Sequence, residues 1–279
     1  ARMTPVYSAL RHLPAPLAVL AFTASTGEAQ LRPLEPVPWR AFDEAGVDVE
    51  VGVGVYQGQW ASLAGLEGRL VQLGSFRASW ALGRVALELA GTALLWFKED
   101  STFAEPLEGV HGADGGSRTD AGDYRLSTQV ALTRPDAPLK LALRFGVRLP
   151  TTDDVQGLER DQTDFFTSVT GRIDRGPLRA GAEVGLGVFG TRDRRNEQVD
   201  VILFGLRGEY DLGKVDALLA VAGHHDPRRA VEFRGNEDLG EVRIGLRAGD
   251  RRWLSLSAVR GWTRASPDYG AVLMYGIRF

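Results

Sequence analysis

The sequence predicts an all-β chain that closes into an antiparallel transmembrane β-barrel of about 12 strands. Three observations carry this reading. Side-chain character alternates every second residue along most of the chain, long and short connections alternate between the segments, and the last segment is an apolar-alternating strand ending on Phe279. Composition agrees: 279 residues hold 34 Gly, 13 Pro, two Met and no Cys, with 44% apolar and 25% charged residues. Such a chain is neither a disulfide scaffold nor a low-hydrophobicity disordered one, and thiol catalysis is excluded. A net charge of −3 gives no global basic field for nucleic acid. Beyond the N-terminus no apolar run reaches the roughly eighteen residues of a membrane helix.

Taken in chain order, Arg2 and Arg11 form a basic region around the start, and the stretch Leu13 to Thr23 is apolar but too short to span a bilayer. Small residues Gly27 and Ala29 then stand at the two positions a signal peptidase reads, so residues 1–29 are expected to be a signal peptide. Residues 30–46 follow as a Pro-rich periplasmic lead-in. Pro33, Pro36 and Pro38 exclude a strand interior there and leave a lead-in or a short plug.

The barrel is expected over 47–279. Leu139, Leu141, Leu143, Phe145, Val147 and Leu149 form one face of a strand, and Lys140, Ala142, Arg144, Gly146 and Arg148 form the other. The same split recurs in 47–57, 66–82, 84–97, 124–134, 164–174, 178–190, 198–211, 214–225, 238–248, 251–263 and 268–279. Many of these exceed the usual length of roughly five or six residues and reach the nine to eleven that a tilted bilayer-crossing strand needs. After the first strand the connections alternate without exception. The long ones are 58–65, 98–123, 150–163, 191–197, 226–237 and 264–267; the short ones lie at Gly83, Pro135 to Pro138, Arg175 to Pro177, Leu212-Gly213 and Gly249-Asp250. A membrane barrel has this asymmetry, whereas a soluble sandwich has no reason to sort its loops by end.

Tryptophan placement points to two membrane belts, with Trp60, Trp96 and Trp262 near the long-loop ends and Trp80 and Trp253 near the short-turn ends. In the last strand Tyr269, Ala271, Leu273, Tyr275, Ile277 and Phe279 alternate with smaller or polar residues. This segment is similar to the C-terminal strand of bacterial outer-membrane proteins, which implies export through the periplasm to the bacterial outer membrane. Tyr275, Ile277 and Phe279 then resemble the signal that the barrel-assembly machinery reads from an unpaired edge.

With apolar faces toward lipid, charges must face inward, since Arg or Lys at the bilayer midplane costs roughly 2–4 kcal/mol. The expected pore-lining residues are Arg125, Lys140, Arg144, Arg148, Arg172 and Arg179, with Glu88 and Glu183 as counter-charges. Rings or stripes of basic side chains make a pore anion-preferring. The alternative is a salt-bridge network that fills a narrow barrel, and the sequence leaves both open. Loops 98–123 and 150–163 are rich in Asp and Glu. They match no calcium-loop spacing and read as solvated charge.

The stretch Leu143 to Asp174 couples a strand ending in Arg148-Leu149-Pro150-Thr151, an acidic polar loop with Asp153, and a strand opening on Thr163-Asp164-Phe165. This pattern resembles the outer-membrane transporters named for the MetA pathway of phenol degradation. That family usually has Lys and a Gly-Asp pair where this chain has Arg148 and Thr152-Asp153. The resemblance implies a channel for small, aromatic or hydrophobic molecules.

Three functional classes follow. The first is a porin-like channel for passive transport of small-molecule solutes, set among outer-membrane lipids and lipopolysaccharide. The second is a structural or adhesion barrel with an occluded lumen. The third, least favoured, is a lipid hydrolase. Hydrolysis needs a Ser–His pair with an orienting group, and His224 and His225 point to opposite faces with no Ser in a nucleophile motif beside them. No catalytic residue, metal site, cofactor or nucleic-acid partner is assigned.

Overall fold

The computed structural model describes residues 31–35, 40–160, 162–191, 198–228 and 234–279; the expected signal peptide lies outside them. The strands are β1 (Gly46–Ala61), β2 (Leu66–Ala81), β3 (Val85–Thr102), β4 (Ser117–Asp120), β5 (Tyr124–Ala131), β6 (Lys140–Leu149), β7 (Asp164–Arg175), β8 (Leu178–Gly190), β9 (Gln198–Asp211), β10 (Val215–His225), β11 (Leu239–Ala248), β12 (Arg252–Gly261) and β13 (Tyr269–Arg278). They make one antiparallel sheet in which each strand pairs with its sequence neighbour. β4 and β5 both pair with β3, at successive levels, so the two together fill one position in the wall. β1 pairs with β13 as well as β2, which closes a barrel of twelve strands.

One connection departs from the expected rhythm. β1 runs to Ala61 and β2 begins at Leu66, so the first outer connection is the tight turn 62–65 rather than an eight-residue loop. Its tip does not meet solvent: Leu63 and Ala64 are fully buried, and Leu107 donates its N–H to the Leu63 carbonyl at 2.8 Å. At the opposite end the connections β9–β10 and β11–β12 turn through Gly213 (φ 97°) and Gly249 (φ 100°), a backbone region that L side chains rarely adopt. Both Gly46 and Phe279 lie at this short-turn end, where Val47 and Phe279 exchange backbone hydrogen bonds. Short turns mark the periplasmic side of such barrels.

The outer surface is apolar. Val51, Leu126, Phe145, Val184, Leu186, Leu206, Leu246 and Leu256 are each about half exposed or more, around the whole circumference. Exposed apolar area on this scale marks contact with another apolar phase, here the acyl chains of a bilayer. Trp80 and Trp262 stand on this surface, 42% and 51% exposed. Trp96 pairs across to Val71 on the outward face of β2, and Trp60 stacks on Phe103 at 4.1 Å beside the outer rim.

Trp253 corrects the belt assignment. It is 5% exposed, points into the barrel, and donates its indole N–H to Glu50 Oε1 at 3.1 Å. Gly276, opposite it on β13, leaves the space that the indole fills. Parity explains the inversion. Leu254 and Leu256 take the lipid-facing positions, which sends Trp253, Ser255 and Ser257 inward. Tyr275, Ile277 and Phe279 do face outward, with Tyr275 and Phe279 well exposed.

Candidate functional site

Described residues of the interior enclose a central and a periplasmic cavity. The central one, about 170 Å³, lies between β1–β3 and β9–β13 and is bordered by residues 32–35 of the lead-in. The second, about 200 Å³, lies toward the periplasmic end and is lined by Asp43, Asp48, Arg172, Arg179, Glu209 and Asp216 among others. Glu50, Arg77, Arg207 and Arg247 line both, so these four side chains stand at the boundary between them. A single water needs only roughly 10–15 Å³ measured this way, so each cavity holds several small molecules' worth of atoms or many waters.

The central cavity is rich in arginine, and several of these arginines meet acids outside its lining: Glu209 lies 2.8 Å from Arg207 and Asp216 lies 2.8 Å from Arg247. Arg32, Arg77, Arg125, Arg207, Arg243 and Arg247 face Glu35, Glu50 and Glu241. Leu218, Ala220, Val272 and Met274 give the same cavity an apolar wall. Arg32 pairs with Glu241 and stacks over the Tyr56 ring at 3.8 Å. Glu35 reaches two strands, with Oε2 2.5 Å from Arg77 Nη2 and Oε1 against Arg243. Arg77 also contacts Glu50 at 3.3 Å and Glu88 at 3.5 Å.

The expected pore-lining residues all point inward but divide into three groups. Arg125 lines the central cavity, and among the described residues it has no hydrogen bond or ion pair. Arg172 and Arg179 line the periplasmic cavity, held by Asp174 at 2.7 Å and Glu209 at 3.1 Å. Lys140 pairs with the same Asp174 at the rim. Arg144, Arg148, Glu88 and Glu183 border neither cavity. Arg144 pairs with Glu183 at 3.0 Å and lies 3.7 Å from Glu88, while Ser168 donates to Glu183 at 2.6 Å. Beside them Leu34 packs with Phe166, Phe189, Val199, Val201 and Leu203, so this side of the lumen is filled.

Described residues of two outer loops cover part of the outer mouth. Arg118, 7% exposed, donates to Glu99 at 2.7 Å and to the carbonyls of His111, Gly112 and Gln156, tying loops 103–116 and 150–163 together. Beneath them Leu63, Leu66, Val110, Leu158 and Leu31 form an apolar cluster across the lumen. Several acids read as solvated loop charge are instead built into this lid. Asp120 accepts the Asp153 N–H at 2.9 Å, Asp123 accepts that of Thr151 at 3.1 Å, and Glu159 accepts that of Asp123 at 2.9 Å. Burial, reinforced by the charge of Asp123, pushes the Glu159 carboxyl up to about 8. His224 is buried on the inner face, bonded to the Glu237 carbonyl at 3.0 Å and stacked edge-on against Phe189; His225 bonds Asp238 at 2.6 Å.

No family model matches the chain, and no curated protein matches it in sequence. Among solved structures it is similar to an outer membrane channel from Pseudomonas putida F1, at 14% identity over 88% of this chain and 97% of that one, with a TM-score of 0.59. The fold is that of a bacterial outer-membrane β-barrel. The pattern in residues 143–174 and this likeness agree on that fold. Two other outer-membrane barrels lie further off. OmpT of Vibrio cholerae matches at 13% identity over 85% of this chain and 100% of its own, with a TM-score of 0.41. Outer membrane phospholipase A of Escherichia coli matches at 12% over 84% and 89%, with a TM-score of 0.44. In this barrel the resemblance motif has a physical role. Arg148 and Asp164 are register partners on β6 and β7, while Leu149 and Phe165 face lipid and Thr151 anchors the loop between them.

Arg77, Arg207, Arg243 and Arg247 were not among the expected pore-lining residues, although two-residue parity along their strands puts them on the inner face. Glu35 and Arg32 escaped sequence reasoning altogether, because nothing in a Pro-rich lead-in states which strands it will touch.

Proposed function

We propose that the protein is an outer-membrane channel for passive passage of small, anion-leaning solutes, held closed in this conformation. One observation carries the reading: the central cavity is lined by six arginines and three glutamates and shares Glu50, Arg77, Arg207 and Arg247 with the periplasmic cavity. Fixed excess positive charge in a low-dielectric cavity concentrates anions and repels cations. Residues 31–35 and the lid of loops 103–116 and 150–163 are the parts that must move for a solute to cross. The exterior takes lipid and lipopolysaccharide, and β13 is the strand offered to the barrel-assembly machinery. No nucleic acid, cofactor or catalytic step enters this account.

The test is single-channel recording of the refolded chain in a planar bilayer under a salt gradient. Discrete steps with a reversal potential on the anion side are expected, and R247E shifts that potential toward cations. The loops tied together by Arg118 favour a second reading, an adhesion or scaffold barrel. Absence of steps from a barrel shown to be folded selects it.

A further inference from the structure

Glu35 is held in the barrel like a ligand. Its carboxylate belongs to a segment outside the wall, yet it sits between guanidinium groups of β2 and β11, taking a 2.5 Å hydrogen bond from Arg77 and an ion pair from Arg243. A third guanidinium, Arg125 of β5, lines the same cavity without a hydrogen bond or ion pair among the described residues. Two-point recognition of a carboxylate by separate arginines is strong and directional. An apolar wall of Leu218, Ala220, Val272 and Met274 borders the same cavity, offering a surface for a carbon skeleton. Pro33 leaves the segment little internal freedom, so presenting Glu35 there carries a small entropic cost.

We infer that Arg77, Arg125 and Arg243 form a carboxylate-binding site that Glu35 occupies as a built-in competitor, and that small organic monocarboxylates with a compact apolar body displace it. The carboxylate of the solute takes the place of Glu35 on Arg77 and Arg243 and gains Arg125, while its hydrocarbon part lies against the Leu218 to Met274 wall. Glu35 leaving the site frees residues 31–35 from one of their two ionic anchors; the other is Arg32 on Glu241. This deepens the channel reading and rests on it for passage, but binding itself does not depend on conduction.

The probe pair is isobutyrate and its neutral isostere isobutyramide, followed by saturation-transfer NMR on the full-length refolded barrel in detergent. Folding is checked by heat-modifiable gel mobility. E35Q is expected to bind isobutyrate at least about tenfold more tightly than wild type, since loss of a charged competitor is worth that factor or more. Isobutyramide should change less than about twofold by the same reasoning. Adding R125Q to E35Q should cancel most of the gain. R125Q alone weakens isobutyrate binding in a barrel that keeps Glu35, which covers the case in which E35Q does not fold. Equal affinity of wild type and E35Q for isobutyrate overturns the inference. So does an equal gain for the amide, which would mean only a loosened segment. A barrel that binds as described but never conducts would sink the channel and leave the site standing.

Discussion

Arg148 Nη2 lies 2.6 Å from Asp164 Oδ2, and the same oxygen is 2.6 Å from Arg160 Nη2, with all three side chains under 5% exposed. One carboxylate thus bridges a wall arginine and a loop arginine where β6 meets β7, and Asp123, 3.5 Å from Arg148, brings a second negative charge to the cluster. Arg160 also lies over the Phe189 ring at 4.8 Å. Removing one member of a buried ionic cluster leaves charge without compensation. D164N is therefore expected to lower barrel stability by about 3–5 kcal/mol. Urea unfolding in lipid vesicles measures this, and a loss below about 1 kcal/mol would mean that the cluster is solvated.

Trp253 and Trp262 bracket the same strand end to end but face opposite phases. Trp253 is bonded to Glu50 inside the barrel and Trp262 is 51% exposed outside. In variants that keep a single tryptophan, brominated acyl chains should quench Trp80 and Trp262 strongly and Trp253 hardly at all. Strong lipid quenching of Trp253 would place it in the bilayer and restore the belt assignment.

The twelve strands were legible because two-residue periodicity and Gly-containing turns are local signals. Register followed once neighbouring strands had to share faces. Even the inward turn of Trp253 was written in the chain, since Leu254 and Leu256 claim the lipid side; a count of tryptophans at strand ends overrode that parity. Placement of charge was less legible. The dense run Arg144, Arg148, Arg172 looks like an open basic surface in sequence. Its neutralising partners Asp43, Asp164 and Glu183 arrive from the lead-in and from β7 and β8. The arginines that border the central cavity instead gather where β2, β5, β9 and β11 converge, a grouping that spacing along one strand cannot reveal.

Loop closure should depend on pH through Glu159. Its folded carboxyl is raised from 4.5 to about 8, first by burial and then by the Asp123 charge, against the pull of Arg148. A raised acid favours the closed form while protonated, so its contribution is full below the free value near 4.5 and is lost as pH climbs through about 8. Hydrogen exchange of the Thr151 and Asp123 amides, both bonded in this lid, should therefore accelerate between about pH 5 and pH 8 beyond the intrinsic base-catalysed rise. E159Q should remove the excess acceleration. An identical profile in E159Q and wild type would assign the pH response elsewhere.

The last prediction concerns Leu34, which fixes residues 31–35 mechanically as Glu35 fixes them electrostatically. Leu34 is 8% exposed among Phe166, Phe189, Val199, Val201 and Leu203, an apolar pocket on the inner side of the wall. L34A removes that anchor and should cost about 2–3 kcal/mol of segment docking, at the lower end for a buried leucine. The wall stays intact, because its ladder hydrogen bonds do not involve this residue, so heat-modifiable mobility on gels should not change. Conductance should rise and become noisier as the segment leaves the cavity for part of the time, and added protease should cut the lead-in faster. If L34A and wild type conduct alike while the lead-in of L34A is demonstrably released, residues 31–35 are not the obstruction. The lid under Arg118 then controls passage alone.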